Sequence, residues 1–239
     1  MADDRTERRR ALLARAPLFA RLDERELDSL LAVARARHVA AREELFHKGD
    51  QGSQLYLILS GRLKAMTTSA EGDDVVFSIM GPGEVFGEMG LLAGGRRTAT
   101  IVALDAAELL VLDRRDFLPV LRSQPEVAIK LLEVLAERTR RVSELVEDTH
   151  FLNLPIRLAK KLTSLAARYG IQVEDGVRID LKLSQTELGD LVATTRESVN
   201  KQVREWTQQG VLSMSGGYVT IHRPEWLEGV SEGELEGGS

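Results

Sequence analysis

The sequence predicts an α+β protein: a small β-roll, then one long helix, then a compact helical unit ending in a hairpin. Three observations predict it. From Val39 to about Leu112, short apolar or alternating runs are separated by turn signals, which is the texture of a sandwich or roll. After Pro125 that texture gives way to a helical pattern reaching about His150. Beyond Asn153-Leu154-Pro155 shorter helical segments follow, and Val211 to His222 reads as a β-hairpin about Gly216-Gly217.

Taken in order, residues 8–16 read as a short helix stopping before Pro17, and residues 23–36 as an amphipathic helix with Leu27, Leu30, Leu31 and Ala34 at helical spacing. Within the roll, runs such as Gln54-Leu55-Tyr56-Leu57-Ile58-Leu59 and Val75-Val76-Phe77-Ser78-Ile79 are strands. Lys48-Gly49-Asp50, Ser60-Gly61, Glu71-Gly72-Asp73 and Gly81-Pro82-Gly83 are the turns between strands. On the long helix, Leu135, Thr139, Val142, Val146 and Thr149 alternate steps of four and three, flanked by Glu137, Arg138, Arg140, Arg141, Glu144 and Glu147. That narrow seam predicts pairing with a second copy of the chain. Asn153 can cap the next helix, with Pro155 tolerated in its first turn, and helices are expected at about 155–169, 184–192 and 195–209. The expected division is a roll over 12–123, the long helix over 124–152, the helical unit over 153–228 and an acidic, Gly-rich disordered tail over 229–239.

Composition excludes several classes. There is no cysteine, so disulfides, cysteine-ligated clusters and thiol redox sensing are excluded. The four histidines, His38, His47, His150 and His222, show no ligand spacing, and no metal site is expected. No apolar run approaches a membrane span and the N-terminus lacks a signal-peptide core, so a cytoplasmic protein without a membrane partner is expected. The net charge of −5 means that any nucleic-acid contact must come from a local basic face. No nucleophile–base pair or paired carboxylates stand out, and no catalysis is expected.

The most informative stretch runs from Gly83 through Phe86-Gly87-Glu88-Met89 and Leu91-Leu92 to Arg96-Arg97-Thr98-Ala99-Thr100. Glycine followed by a one-turn segment offers backbone N–H groups to an anion, and Arg97 can close on the same anion with its planar fork. Glu88 would repel a phosphate alone, but can accept hydrogen bonds from a sugar hydroxyl beside one. Anion plus ribose suggests a nucleotide.

A second motif lies downstream. Ser184-Gln185-Thr186-Glu187 is a capping box opening a short helix to Val192. Ala193-Thr194-Thr195 is a tight turn, and Arg196-Glu197-Ser198-Val199-Asn200-Lys201 begins a second helix, with Thr194 and Glu197 spaced to cap it. This is helix-turn-helix geometry, with Leu188, Leu191, Val192, Val199 and Val203 as shared core. Arg196 and Lys201 can reach guanine O6 and N7, and Glu197 can accept from a cytosine amino group. With the hairpin, the unit reads as a winged helix-turn-helix.

Both motifs resemble those of the cyclic AMP receptor protein/FNR family of bacterial transcription regulators, a likeness covering about residues 12 to 228. The Phe86-Gly87-Glu88, Leu91-Leu92 and Arg97-Thr98-Ala99 groups resemble the family's phosphate-binding cassette, and Lys48-Gly49-Asp50 with Ser60-Gly61 its glycine pattern. The resemblance implies that Glu88 holds the ribose 2′-hydroxyl, that Arg97 and Thr98 hold the cyclic phosphate with backbone of Gly87 and Glu88, and that Phe86, Met89 and Ala99 line the site. Counting back from Phe151-Leu152 puts Val142 and Ser143 at the positions that reach adenine. Val142 lacks the family's hydroxyl, weakening adenine readout by roughly 0.5–1.5 kcal/mol, and Thr98 suits the guanine 2-amino group. Cyclic AMP and cyclic GMP therefore both stand as allosteric ligands, cyclic AMP slightly ahead.

On the DNA side the resemblance implies base reading by Arg196, Glu197 and Lys201 with Asn200 beside them, and phosphate contacts from Ser184, Gln185 and Thr195. Lys201 stands where the family has arginine, losing bidentate geometry. Implied partners are double-stranded DNA with TGTGA-like half-sites in dyad symmetry, a second copy of the chain as homodimer, and RNA polymerase. Two alternatives stay open: a regulator gated otherwise, or a cyclic-nucleotide-binding subunit that does not bind DNA.

Overall fold

The computed structural model describes residues 2–20, 22–70, 72 and 74–233. Glu71 and Asp73 of one expected turn, and residues 234–239 of the expected tail, lie outside the described residues. The chain forms two compact units, residues 1–67 with 77–141, and residues 68–76 with 142–239.

The first unit opens with α1 (Ala2–Arg15) and α2 (Glu24–Val33). A capping box starts α2, in which Asp23 accepts from the Glu26 N–H and Glu26 accepts from the Asp23 N–H, both at 2.8 Å. The expected helix over 23–36 is thus too long at its end: Ala34 is already extended, and β1 (Arg35–Val39) pairs antiparallel with β8 (Ala107–Asp113). Between them run β2 (Glu44–Phe46), β3 (Gln54–Ser60), β4 (Leu63–Thr68), β5 (Asp74–Met80), β6 (Val85–Phe86), α3 (Glu88–Ala93) and β7 (Thr100–Ala103). Two four-stranded sheets result, ordered β1-β8-β3-β6 and β2-β7-β4-β5.

The unbroken apolar run of β3 has a physical reason. Tyr56 and Ile58 join the core between the sheets, with Phe86, Leu109 and Val111. Leu55, Leu57 and Leu59 on the opposite face join a second core built with Leu13, Phe19, Leu30, Phe117, Val127 and Leu131. A strand covered on both faces has no polar side to show. The helices over that second face include α4 (Arg114–Ser123) and the N-terminal half of α5 (Pro125–Phe151). Further along α5 the side chains emerge: Ile129, Leu132, Val142 and Val146 are 48%, 63%, 46% and 53% exposed. This stripe continues the expected seam toward the helix N-terminus.

In the second unit α6 (Leu154–Tyr169) is capped by Asn153, whose side chain accepts from the Ile156 N–H at 3.1 Å. There follow β9 (Gly170–Val173), β10 (Gly176–Ile179), α7 (Gln185–Leu191), α8 (Arg196–Gln208), β11 (Leu212–Ser215), β12 (Tyr218–Ile221) and α9 (Pro224–Ser231). The hairpin β11–β12 forms with Gly216-Gly217 at its turn, in a sheet ordered β11-β12-β10-β9. The strands β9 and β10 and the helix α9 are not among the elements expected from the sequence. Residues 229–231, grouped on composition with the tail, are the last turn of α9, with Val230 buried. Trp226 packs edge-on against Trp206, ring centroids 6.1 Å apart. No helix among the described residues is long and apolar enough to cross a membrane.

Candidate functional sites

Strand β6 delivers Phe86 into the roll, where its ring stacks on Tyr56 with centroids 5.0 Å apart. The chain then turns through Gly87 at φ +83° and enters α3. A side chain is excluded at Gly87, because a Cβ would lie 2.7 Å from the Gln54 carbonyl oxygen and from Arg97 Nη1. The turn aims the start of α3, with Glu88, at the end of the roll where Arg97 sits.

Only three polar or charged side chains are buried among the described residues, and two are Glu88, 1% exposed, and Arg97, 5% exposed. Charged groups leave water only when something else holds them. Arg97 lies over the Phe46 ring at 4.2 Å and the Tyr56 ring at 5.4 Å, and its Nη1 donates to the carbonyls of Gln54 at 2.9 Å and Gly87 at 3.1 Å. Burial pulls the guanidinium below its ordinary pKa, an effect opposed by Tyr56, Glu88 and Asp50; burial also raises the Tyr56 phenol. Arg97 is anchored to the Lys48-Gly49-Asp50 turn, its N–H donating to Asp50 O and its carbonyl accepting from the Gly49 N–H, both at 2.8 Å. That turn thus serves the cassette as well as the roll.

Glu88 Oε1 accepts from Arg138 Nη1 at 2.5 Å, and Arg138 Nη2 donates to the Val85 carbonyl. In the sequence Arg138 is one of the charges flanking the α5 seam, and no spacing rule links position 138 to position 88. Two atoms remain unsatisfied: Glu88 Oε2 and Arg97 Nε are buried without a hydrogen-bond partner. One is an acceptor and one a donor, which fits a hydroxyl beside an anionic oxygen. Met89 and Thr98 are exposed and adjacent, Thr98 Oγ1 lying 3.5 Å from Met89 Sδ, and Ala99 is half-buried. Val142 and Ser143 are exposed on α5 and belong to the second unit.

In the second unit Ser184 caps α7, accepting from the Glu187 N–H at 3.1 Å while Glu187 Oε2 accepts from the Ser184 N–H at 2.7 Å. The cap of α8 is Thr195, whose Oγ1 accepts from the Ser198 N–H at 3.3 Å, and not the Thr194 and Glu197 pair. The turn bends one residue later than that spacing implies, because Ala193 takes φ +51° and the Thr194 N–H returns to Gly189 O. A Cβ at Gly189 would lie 2.7 Å from the Thr194 carbonyl oxygen, so the tight approach of turn to helix requires glycine there. Leu188, Leu191, Val192, Val199 and Val203 are all buried, joined by Trp206. That core turns Arg196, Glu197 and Lys201 outward, exposed, with no hydrogen-bond or ion-pair partner for their side chains among the described residues. Asn200 and Gln185 are half-buried, and Ser184 and Thr195 are exposed beside them.

Residues 36–124 match the cyclic nucleotide-binding domain, and residues 156–230 the Crp-like helix-turn-helix domain. A CRP-like cAMP-activated global transcriptional regulator of Mycobacterium tuberculosis is 31% identical over 216 residues, covering 90% of this chain and 96% of its own length. The chain belongs to the CRP/FNR family of transcription regulators. The cyclic AMP receptor protein of Thermus thermophilus is 32% identical, with 91% of this chain and 98% of the relative covered. The crystal structure of the Thermus thermophilus catabolite activator protein matches at TM-score 0.51 and 32% identity, covering 92% of this chain and all, 100%, of that one. A c-di-GMP-responsive regulator of Xanthomonas campestris, at 22% identity, shares the fold with TM-score 0.75 over 84% of this chain and 99% of its own. Like those relatives, this CRP/FNR member is a transcription regulator and not an enzyme, joining a cyclic-nucleotide-binding roll to a DNA-binding helix-turn-helix.

Proposed function

We propose that this CRP/FNR member is a homodimer whose DNA affinity is raised by a cyclic nucleotide, cyclic AMP ahead of cyclic GMP, and which binds dyad-symmetric sites. The observation that carries the reading is the buried pair of unsatisfied atoms, Glu88 Oε2 and Arg97 Nε. A ribose hydroxyl donates to the first and a cyclic phosphate oxygen accepts from the second, while N–H groups at the start of α3 face the same anion. Phe86, Gly87, Met89, Thr98 and Ala99 form the surrounding wall. The exposed stripe of Ile129, Leu132, Val142 and Val146 along α5 supports pairing with a second copy, since such a run of apolar side chains is costly to leave in water.

Binding to one dimer arrangement better than another is what lets the nucleotide shift the population toward the DNA-competent form. In that form two copies of α8 present Arg196, Glu197, Asn200 and Lys201 to successive major grooves about one DNA turn apart. Ser184, Gln185 and Thr195 contact phosphates, and RNA polymerase is the further partner, in the cytoplasm. The relatives named for cyclic AMP support that nucleotide. Val142 in place of a hydroxyl-bearing residue keeps cyclic GMP in contention, with Ser143 as the remaining polar group for the base.

Calorimetric titration of both nucleotides into the full chain tests this reading. Binding of at least one is expected, with Val142→Thr gaining several-fold for cyclic AMP and Thr98→Ala, which removes the hydroxyl offered to the guanine 2-amino group, weakening cyclic GMP more than cyclic AMP. No heat from either nucleotide would contradict gating by this site, and an unaltered preference in both variants would overturn the assignment of base recognition.

A further inference from the structure

We infer that Arg114 is a positioning residue for the nucleotide site, an inference resting on the reading of Glu88 and Arg97 as its anchors. The helix α3 carries Glu88 at its start, yet it is only six residues long. A helix that short leaves its last carbonyls without intrahelical donors. The N–H groups of Gly94 and Gly95 both return to Gly90 O, at 3.1 and 3.3 Å, which leaves the carbonyls of Leu91 and Leu92. Arg114 Nη1 donates to both, at 3.1 Å for Leu92. A cation is also favoured at this end of a helix by the backbone dipole.

The other half of the contact fixes the helix against Arg97. The Arg114 N–H donates to Ser53 O at 2.8 Å. Ser53 stands between Gly52, where a Cβ would lie 2.7 Å from Arg97 Nε, and Gln54, whose carbonyl accepts from Arg97 Nη1. One residue therefore ties the far end of α3 to the strand that cradles Arg97. With a rise of 1.5 Å per residue, a tilt of about 10° at the free end of α3 displaces Glu88 by on the order of 1 Å, enough to break a hydrogen bond. Arg114 is also the first residue of α4, which leads through Gln124 into α5, so the same contact joins the cassette to the start of the long helix.

The test compares Arg114→Ala and Arg114→Lys with the unaltered chain, by calorimetry with cyclic AMP and cyclic GMP and by amide hydrogen exchange without nucleotide. Arg114→Ala is expected to bind tenfold or more weakly, with faster exchange confined to residues 90–95. Arg114→Lys, which retains a donor and the charge, is expected to recover most of both. Nucleotide affinity in Arg114→Ala within threefold of the unaltered chain overturns the proposal, as do unchanged exchange over 90–95 or a Lys variant as impaired as the Ala variant. Absence of nucleotide binding by the unaltered chain strikes the reading of the site itself, and exchange over 90–95 then still decides whether Arg114 holds the helix.

Discussion

Arg97→Ala is expected to lower cyclic-nucleotide affinity by two to three orders of magnitude. A hydrogen bond to a charged group contributes about 1.5–3 kcal/mol, and a cyclic phosphate facing the guanidinium loses both a charge and at least one such bond. Each 1.4 kcal/mol is about tenfold in affinity, so a loss of roughly 3–4 kcal/mol gives that range. The variant also empties the space over the Phe46 and Tyr56 rings and releases the carbonyls of Gln54 and Gly87. Thermal unfolding without nucleotide should be followed alongside calorimetry. Arg97→Lys keeps the charge but not the planar fork, and is expected to fold with an intermediate affinity. Retention of full affinity in Arg97→Ala would remove the phosphate from this position.

Arg196→Ala is expected to have the second large effect, on DNA rather than on nucleotide. A bidentate contact with guanine discriminates by about 1–3 kcal/mol, and the proposed dimer would make it twice, so specific affinity should fall by about 2–6 kcal/mol. The side chain is exposed and has no hydrogen-bond or ion-pair partner among the described residues, so stability should hardly change. Fluorescence anisotropy with a dyad-symmetric duplex and with one substituted at the read guanine measures it. The variant should lose its preference between the two duplexes, while binding to unrelated DNA changes little. Equal loss on all duplexes would reassign Arg196 to the phosphate backbone.

What could be read in the sequence was what local chemistry dictates. Glycine at 87 ahead of an acid, an arginine further on, a capping box at Ser184 and an apolar strand at 54–60 each have a reason within a few residues. What could not be read depends on tertiary contacts. Arg138 reaches Glu88 across 50 positions, and on its own helix it looks like any other surface charge. The end of α2 is set by pairing of Arg35–Val39 with β8, which overrides a helical pattern that continues to residue 36. Composition assigned Gly229 to the tail, although Leu227 and Val230 give α9 a buried face. The cap of α8 moved from Thr194 to Thr195 because a left-handed residue, Ala193, lengthens the turn.

Linkage between the nucleotide and DNA is what would make the two units one regulator, and a single titration measures it. The unaltered chain is titrated against a duplex carrying two TGTGA-like half-sites in dyad symmetry, at one fixed salt concentration, without nucleotide and with saturating cyclic AMP or cyclic GMP. Affinity is expected to rise at least tenfold with one of the nucleotides, and with neither on a scrambled duplex. The same affinity under all three conditions would contradict the account.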